Sequence, residues 1–233
     1  MKINDYRQIS SQYASLDNTG TAYLAFKDVP TLIKKYAKGN LTLDYGCGSG
    51  HSTLFLNEIG LDVRGVDISG EMLNEAMKAS QSIPFLLIES AKLPFNDNTF
   101  DVVFSSFVLF EISNKNELTR IFNEIYRVLK KDGIFIAITG SEELYNHDWL
   151  SLQVDFPENK KLHSGDIAKV YLKDADLAVY DYFWTDQDYK DALSFTQFTL
   201  VEKLLPLGDA SDGYDWLDEN TYPPYVMYVL SKT

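Results

Sequence analysis

Three features of this 233-residue chain predict an α/β fold with a doubly wound, mostly parallel sheet. Short apolar runs alternate with segments of helical periodicity from about residue 40 to residue 140. A glycine-rich turn, Gly46-Cys47-Gly48-Ser49-Gly50, follows the first of those runs directly. An acidic residue, Asp67, closes the next run.

Residues 1–40 read as a helical lead-in. Tyr23, Leu24, Phe26 and Val29, then Leu32, Ile33 and Tyr36 beyond Pro30, carry its apolar positions, and Gly39 stands where a C-cap would. Residues 41–45 form a short buried strand that runs into the glycine turn. Leu54, Phe55 and Ile59 give the next helix its apolar face, and Gly60 ends it. Residues 61–66 are the second strand. Ser69 can cap a helix that carries Met72, Leu73, Ala76 and Met77. Residues 85–88 read as a third strand and 100–104 as a fourth, after the turn-rich 94–98. Asn114 and Glu117 have capping-box spacing. The helix they open places Leu118, Ile121, Phe122, Ile125 and Leu129 on one face. Gly133 precedes a fifth strand, 134–138. Repeated β-α-β units of this kind build parallel sheets.

The last third has a different period. Residues 168–172 and 178–183 alternate in polarity, which predicts an antiparallel β insertion acting as a lid rather than another crossover. Residues 188–193 read as a helix, and 198–205 and 225–230 as a terminal antiparallel strand pair. No flexible linker divides the chain. Residues 1–233 are therefore read as one domain, with lead-in 1–40, core 41–140, insertion 141–185 and closing segment 186–233.

The net charge of −13 and the scatter of Lys and Arg argue against a nucleic-acid partner, which needs clustered cations. No apolar stretch approaches the roughly 20 residues that span a bilayer, so no membrane partner is expected. The polar start lacks the apolar core of a signal peptide. Cys47 is the single cysteine, so no intrachain disulfide forms. A cytoplasmic protein is the expectation. One Cys and three dispersed His offer no metal-ligand spacing. The sequence sets no oligomeric state.

Glycines let a backbone approach a ligand closely, because they lack Cβ and tolerate positive φ. In an open α/β sheet the ligand sits beyond the carboxyl ends of the strands. A carboxylate at the end of the second strand can accept both hydrogen bonds of a ribose diol. Together, the turn and Asp67 indicate an adenosine-containing cofactor.

The motif set extends further. It comprises Leu43-Asp44-Tyr45-Gly46-Cys47-Gly48-Ser49-Gly50, Gly65-Val66-Asp67-Ile68-Ser69, and Glu89-Ser90-Ala91-Lys92-Leu93-Pro94-Phe95. Phe100-Asp101-Val102-Val103-Phe104-Ser105-Ser106 and Glu124-Ile125-Tyr126-Arg127-Val128-Leu129-Lys130-Lys131-Asp132-Gly133 complete it. In order and spacing it resembles the class I S-adenosylmethionine-dependent methyltransferase family, whose Rossmann-like fold matches the one predicted. The resemblance implies S-adenosyl-L-methionine as cofactor. It implies that Gly46 and Gly48 line the methionine part and that Asp44 anchors that end, directly or through water. It implies Asp67 on the ribose, Ile68 on the adenine, Glu89 near the adenine amino group and Ser90 offering a backbone N–H. Ser105 and Phe107 would border the methyl group, and Tyr13 would close over the cofactor carboxylate.

Such an enzyme places a nucleophile in line behind an activated methyl. A general base is needed only when the acceptor must lose a proton. The expected acceptor is a small molecule methylated at oxygen or nitrogen. Glu111, His147 and His163 are candidate bases, each with a solvent-facing alternative, while His51 belongs on the cofactor side. Tyr182, Trp184 and Tyr189 are candidates for the acceptor wall, although packing of the extra sheet also accounts for them. Two other readings stand beside this one. A nicotinamide-dinucleotide oxidoreductase shares the glycine turn and the downstream acid. A non-catalytic cofactor-binding module shares the fold.

Overall fold

A computed structural model describes residues 4–233. Its centre is β1 (Leu41–Tyr45), whose last four residues are buried. This strand pairs in parallel with β2 (Asp62–Asp67) on one side and β4 (Phe100–Ser106) on the other. β3 (Phe85–Leu87) continues the sheet beyond β2, and β5 (Leu129–Gly140) continues it beyond β4, both in parallel. β10 (Tyr225–Ser231) and β9 (Thr199–Leu204) close that edge as an antiparallel pair. The order is β3-β2-β1-β4-β5-β10-β9. Strand order reverses between β1 and β4, and in an open sheet that switch point opens a crevice at the carboxyl ends.

Helices fill both faces. The lead-in is α1 (Tyr6–Tyr13), a 3-10 turn, α2 (Tyr23–Phe26) and α3 (Val29–Tyr36). Pro30 lies inside the first turn of α3, where a missing N–H leaves no bond unmade, so it starts the helix instead of dividing the segment. α4 (His51–Glu58) crosses from β1 to β2, α5 (Gly70–Ala79) from β2 to β3, and α6 (Lys115–Val128) from β4 to β5. The Ser69 hydroxyl accepts from Met72 N, and Asn114 Oδ1 accepts from Glu117 N at 2.9 Å, so both N-caps form, while the Glu117 carboxylate accepts from Ser90 and Arg120 and does not complete the capping box. Period-two alternation splits β4 between two cores. Val102 and Phe104 join Leu24, Phe26 and Leu32 of the lead-in, whereas Val103 joins Leu118, Ile121 and Ile125 of α6.

Leu129 departs from its expected helical position. The helix ends at Val128, and Leu129 is extended (φ −69°, ψ 140°) and opposite Phe100 in the sheet. Lys232 Nζ donates to the carbonyls of Tyr126 (2.8 Å) and Leu129 (2.7 Å), covering acceptors that the helix end leaves unpaired. Arg127 donates to the carbonyls of Leu93 (2.9 Å) and Phe95 (2.8 Å), and Glu124 accepts from Leu93 N at 2.7 Å. Two side chains of α6 thus hold the loop after β3 in place.

The insertion forms a separate antiparallel sheet of β6 (Leu152–Gln153), β7 (Ile167–Leu172) and β8 (Leu177–Tyr182), in that order. On β8, Leu177, Val179 and Asp181 are buried while Ala178 and Tyr180 are exposed. One carboxylate thus occupies an inward position of an otherwise apolar face. α7 (Asp186–Ser194) follows, with a capping box between Thr185 and Asp188. No helix among the described residues is long and apolar enough to cross a membrane.

Phe104 is fully buried where β4 meets the lead-in helices. Phe104→Ala is expected to cost about 3–5 kcal/mol in urea unfolding of the ligand-free protein. A loss below about 1 kcal/mol would contradict this close packing.

Candidate functional site

The glycine turn after β1 has positive φ at Gly46 (75°), Gly48 (52°) and Gly50 (93°). At Gly46 the requirement is also steric, since a Cβ there would lie 2.2 Å from Val108 Cγ2. Gly46 N and Cys47 N both donate to the Val66 carbonyl, at 2.8 and 3.0 Å, which stitches the turn to the end of β2. Gly48 N then donates to Asp67 Oδ2 and Ser69 N to Asp67 Oδ1, each at 2.8 Å. The Asp67 carboxylate is therefore held by one backbone amide from each of two loops.

Asp44 stands behind the turn, fully buried. Its Oδ2 accepts from the hydroxyls of Ser52 (2.7 Å) and Thr53 (2.6 Å). Its Oδ1 has no partner among the described residues. Burial pushes this carboxyl up to about 6, against the pull of the two hydroxyl donors. Burial also drives the Cys47 thiol well above its ordinary value, which suits a packing residue rather than a nucleophile.

A cavity of about 260 Å³ opens in front of the turn. Residues 46–49, Asp67, Ile68, Met72, Ile88 and Ser90 form one end. Phe107, Val108, Phe110 and Glu111 line the segment after β4. Tyr6 and Tyr13 of α1, Val170 and Leu172 of β7, Val179 and Asp181 of β8, and Tyr225 complete the walls. Five acids border it: Asp17, Asp67, Glu111, Asp174 and Asp181. Neither Lys nor Arg occurs among the described lining residues, and His51 is the sole nitrogen base, its Nε2 lying 3.1 Å from the Ala14 carbonyl.

Several sequence candidates meet here. Gly46, Gly48, Asp67, Ile68, Ser90, Phe107, Tyr13 and Glu111 all line the cavity. Burial, with Asp181 and Asp67 nearby, pushes the Tyr13 hydroxyl up to about 12. The Ser90 hydroxyl donates to Glu117 at 2.6 Å. Glu111 accepts from the Tyr6 hydroxyl and from Asn4 Nδ2. Phe107 is held at a positive φ of 62°, uncommon for a bulky residue, and its ring lies 5.1 Å from that of Tyr225.

Other candidates lie elsewhere. Glu89 points outward and pairs with Lys92. Ser105 has the wrong parity on β4. It is buried with its hydroxyl unpartnered among the described residues, and Ser106 reaches the cavity instead. His147 stacks on Tyr222 at 3.6 Å with Nε2 2.8 Å from Glu143, and His163 is on the surface, 3.4 Å from Asp166. Neither borders the cavity. Tyr182, Trp184 and Tyr189 are likewise absent from its walls. Tyr182 has the opposite parity to Asp181. Trp184 Nε1 donates to the Ile112 carbonyl at 2.9 Å, and the Tyr189 hydroxyl lies 3.0 Å from Thr139 Oγ1, both within the core on the α6 face of the sheet. The aromatic density of this region builds packing.

Asp181 was missed by sequence reasoning. It is 3% exposed, its Oδ2 accepts from the Tyr145 hydroxyl at 3.0 Å, and burial pushes it up to about 7. The available signal was an acid at the third inward position of the alternating run Leu177-Ala178-Val179-Tyr180-Asp181.

Residues 43–137 match the family described as methyltransferase domain. The uncharacterized protein MJ1252 of Methanocaldococcus jannaschii is 30% identical, with 84% of this chain and 75% of that protein covered. Human mitochondrial arginine-hydroxylase NDUFAF5 is 37% identical over 45% of this chain, which spans only 30% of that protein. A crystal structure of a SAM-dependent methyltransferase from Methanosarcina mazei is similar in fold, with a TM-score of 0.63, 21% identity, and 86% of this chain and 96% of that one covered.

The buried Asp44 carboxylate has a stability consequence. Its folded-state pKa is raised above 3.8, so the folded chain holds the proton more tightly than the unfolded one, and stability is lost as pH rises toward about 6. Asp44→Asn keeps an acceptor for Ser52 and Thr53 without the charge. Without cofactor, the variant is expected to exceed wild type by up to roughly 3 kcal/mol at neutral pH, and the gap should close in acid. Urea unfolding at both pH values measures it. A variant less stable than wild type at neutral pH would show that ionised Asp44 carries no such cost.

Proposed function

Since the chain belongs to the class I S-adenosylmethionine-dependent methyltransferase family, we propose that it methylates an oxygen or nitrogen of a small molecule held in the cavity. This reading rests on one observation: the glycine turn and Asp67 share a single cavity with an apolar pocket walled by Phe107, Val170, Leu172, Val179 and Tyr225. Family membership supports methyl transfer over the nicotinamide-dinucleotide oxidoreductase and non-catalytic readings.

The residues present fit the cofactor. Asp67, oriented by the amides of Gly48 and Ser69, accepts hydrogen bonds from the ribose hydroxyls. Ile68 packs on the adenine from the cavity wall, together with Ile88 and Met72, and Ser90 offers its backbone N–H at the ring edge. Gly46 and Gly48 admit the methionine part closely. The unpartnered Oδ1 of Asp44 takes the amino end, directly or through a water. Tyr13 closes over the carboxylate. When bound, the cofactor supplies a methyl on a positive sulfur, already activated toward attack. The protein's task is then to orient the acceptor, exclude water and receive any proton released. Ser106, the last residue of β4, and Phe107 directly after it border the transfer position. The hairpin sheet β6–β8 covers the acceptor side as a lid.

The acidic lining supports a small acceptor over nucleic acid, whose phosphates would meet five carboxylates and neither Lys nor Arg among the described lining residues. Titration calorimetry is expected to show saturable S-adenosylmethionine binding, weakened about 10- to 100-fold by Asp67→Asn. Radiolabelled methyl transfer to a panel of small hydroxyl and amine compounds, with total protein and RNA alongside, tests the acceptor class. Transfer only to protein or RNA would overturn the small-molecule reading, and absence of cofactor binding would overturn the site.

A further inference from the structure

The cavity walls say more about the acceptor than its size. Apart from the cofactor end, the lining is mainly aliphatic and aromatic, with Asn4, Asn18, Thr19 and Ser151 as uncharged polar members, and the charged groups that face it among the described residues are carboxylates. Asp181 is the most enclosed of those carboxylates on the acceptor side. Tyr145 takes one of its oxygens, and no described residue donates to the other, Oδ1. The groups around it come from every neighbouring element. They are Tyr13 on α1, Tyr145 after β5, Tyr189 on α7, Tyr225 on β10, and Glu111 on the 3-10 turn packed against β8. None is a cation. Among the described residues this buried carboxylate has one hydroxyl partner and no counter-ion, which weakens the fold, and its position is explained by what enters the cavity.

Resting on the methyl-transfer reading above, we propose that the acceptor is an uncharged, largely apolar molecule carrying a hydroxyl, and that Asp181 is the base that takes the hydroxyl proton. An anionic acceptor would face Asp174 and Asp181 with no cation among the described lining residues to compensate. An ammonium acceptor would be drawn by these carboxylates, but held in its charged form it has no lone pair with which to attack, and it would stand beside a cationic sulfur, where like charges repel. A neutral hydroxyl avoids both penalties, but it is a poor nucleophile until its proton leaves. As the acceptor oxygen bonds to the methyl carbon, the O–H electron pair stays on oxygen and the proton passes to Asp181. The C–S bond breaks with its electron pair retained by sulfur. Asp181 later returns the proton to water. Burial brings its pKa close to neutrality, the range in which a general base works best.

The test uses the full chain with phenol and 2-naphthol as hydroxyl probes, benzylamine as the amine probe and benzoate as the anionic probe. Asp181→Asn and Asp181→Ala are each expected to lower kcat on the hydroxyl probes by about 10²-fold or more. S-adenosylhomocysteine affinity should stay within about threefold of wild type, which also shows that the variants fold. Added formate should restore turnover of Asp181→Ala about tenfold while chloride does not, because formate replaces the missing carboxylate. With ¹³C-labelled aspartate and S-adenosylhomocysteine bound, the carboxyl resonance absent from Asp181→Asn should titrate above the other aspartates and shift when phenol is added. Variant turnover close to wild type, or faster transfer to benzylamine or benzoate, overturns the proposal. Bound S-adenosylhomocysteine with no transfer to any probe also overturns it and leaves the cofactor site intact. Failure to bind S-adenosylhomocysteine instead overturns the reading on which it rests.

Discussion

The carboxylate of Asp67 is gripped by two backbone amides, Gly48 N from the turn after β1 and Ser69 N from the turn after β2. That clamp, with Gly46 N and Cys47 N on the Val66 carbonyl, makes one rigid rim of two loops that would otherwise move independently. Everything on the cofactor side depends on it. The acid faces the cavity because its orientation is set by bonds, not by chance rotamers. The turn can approach a ligand because its glycines adopt φ values that side chains resist, and because Val108 closes the space that a Cβ would need.

The opposite side of the cavity obeys a different rule. The hairpin sheet contributes walls through period-two alternation, so Val170 and Leu172, and Val179 and Asp181, point the same way. The lead-in contributes Tyr6 and Tyr13, and the segment after β4 contributes Phe107 at a backbone angle that bulky residues avoid. A strained aromatic and a buried acid both cost stability. Both line the cavity, and strained or buried polar residues cluster at functional sites. Asp44 adds to the same pattern, since burial opposes its ionisation on the far side of the glycine turn.

Electrostatics distinguish this cavity from a generic nucleotide cleft. Its charged lining is acidic among the described residues, and the surrounding tyrosines are neutral. Such a site favours a positively charged sulfur and disfavours phosphate-rich or carboxylate-bearing partners. Among its carboxyls, burial raises the proton affinity of Asp181.

The sequence alone determined the sheet, the glycine turn with the acid that faces it, and the order of the elements. Those features are local: apolar runs, caps such as Ser69 and Asn114, and glycines directly after a strand specify their geometry within a few residues. The lining of the rest of the cavity was not local. Tyr182, Trp184 and Tyr189 looked suitable by composition, yet strand parity and packing against the α6 face took them out of the cavity. Ser105 and Ser106 differ by one residue and face opposite ways for the same reason. Asp181 reaches the cavity because β8 packs against α1 and the 3-10 turn after β4. Which residues of separate elements share one cavity is decided by long-range packing, and no spacing along the chain encodes it directly.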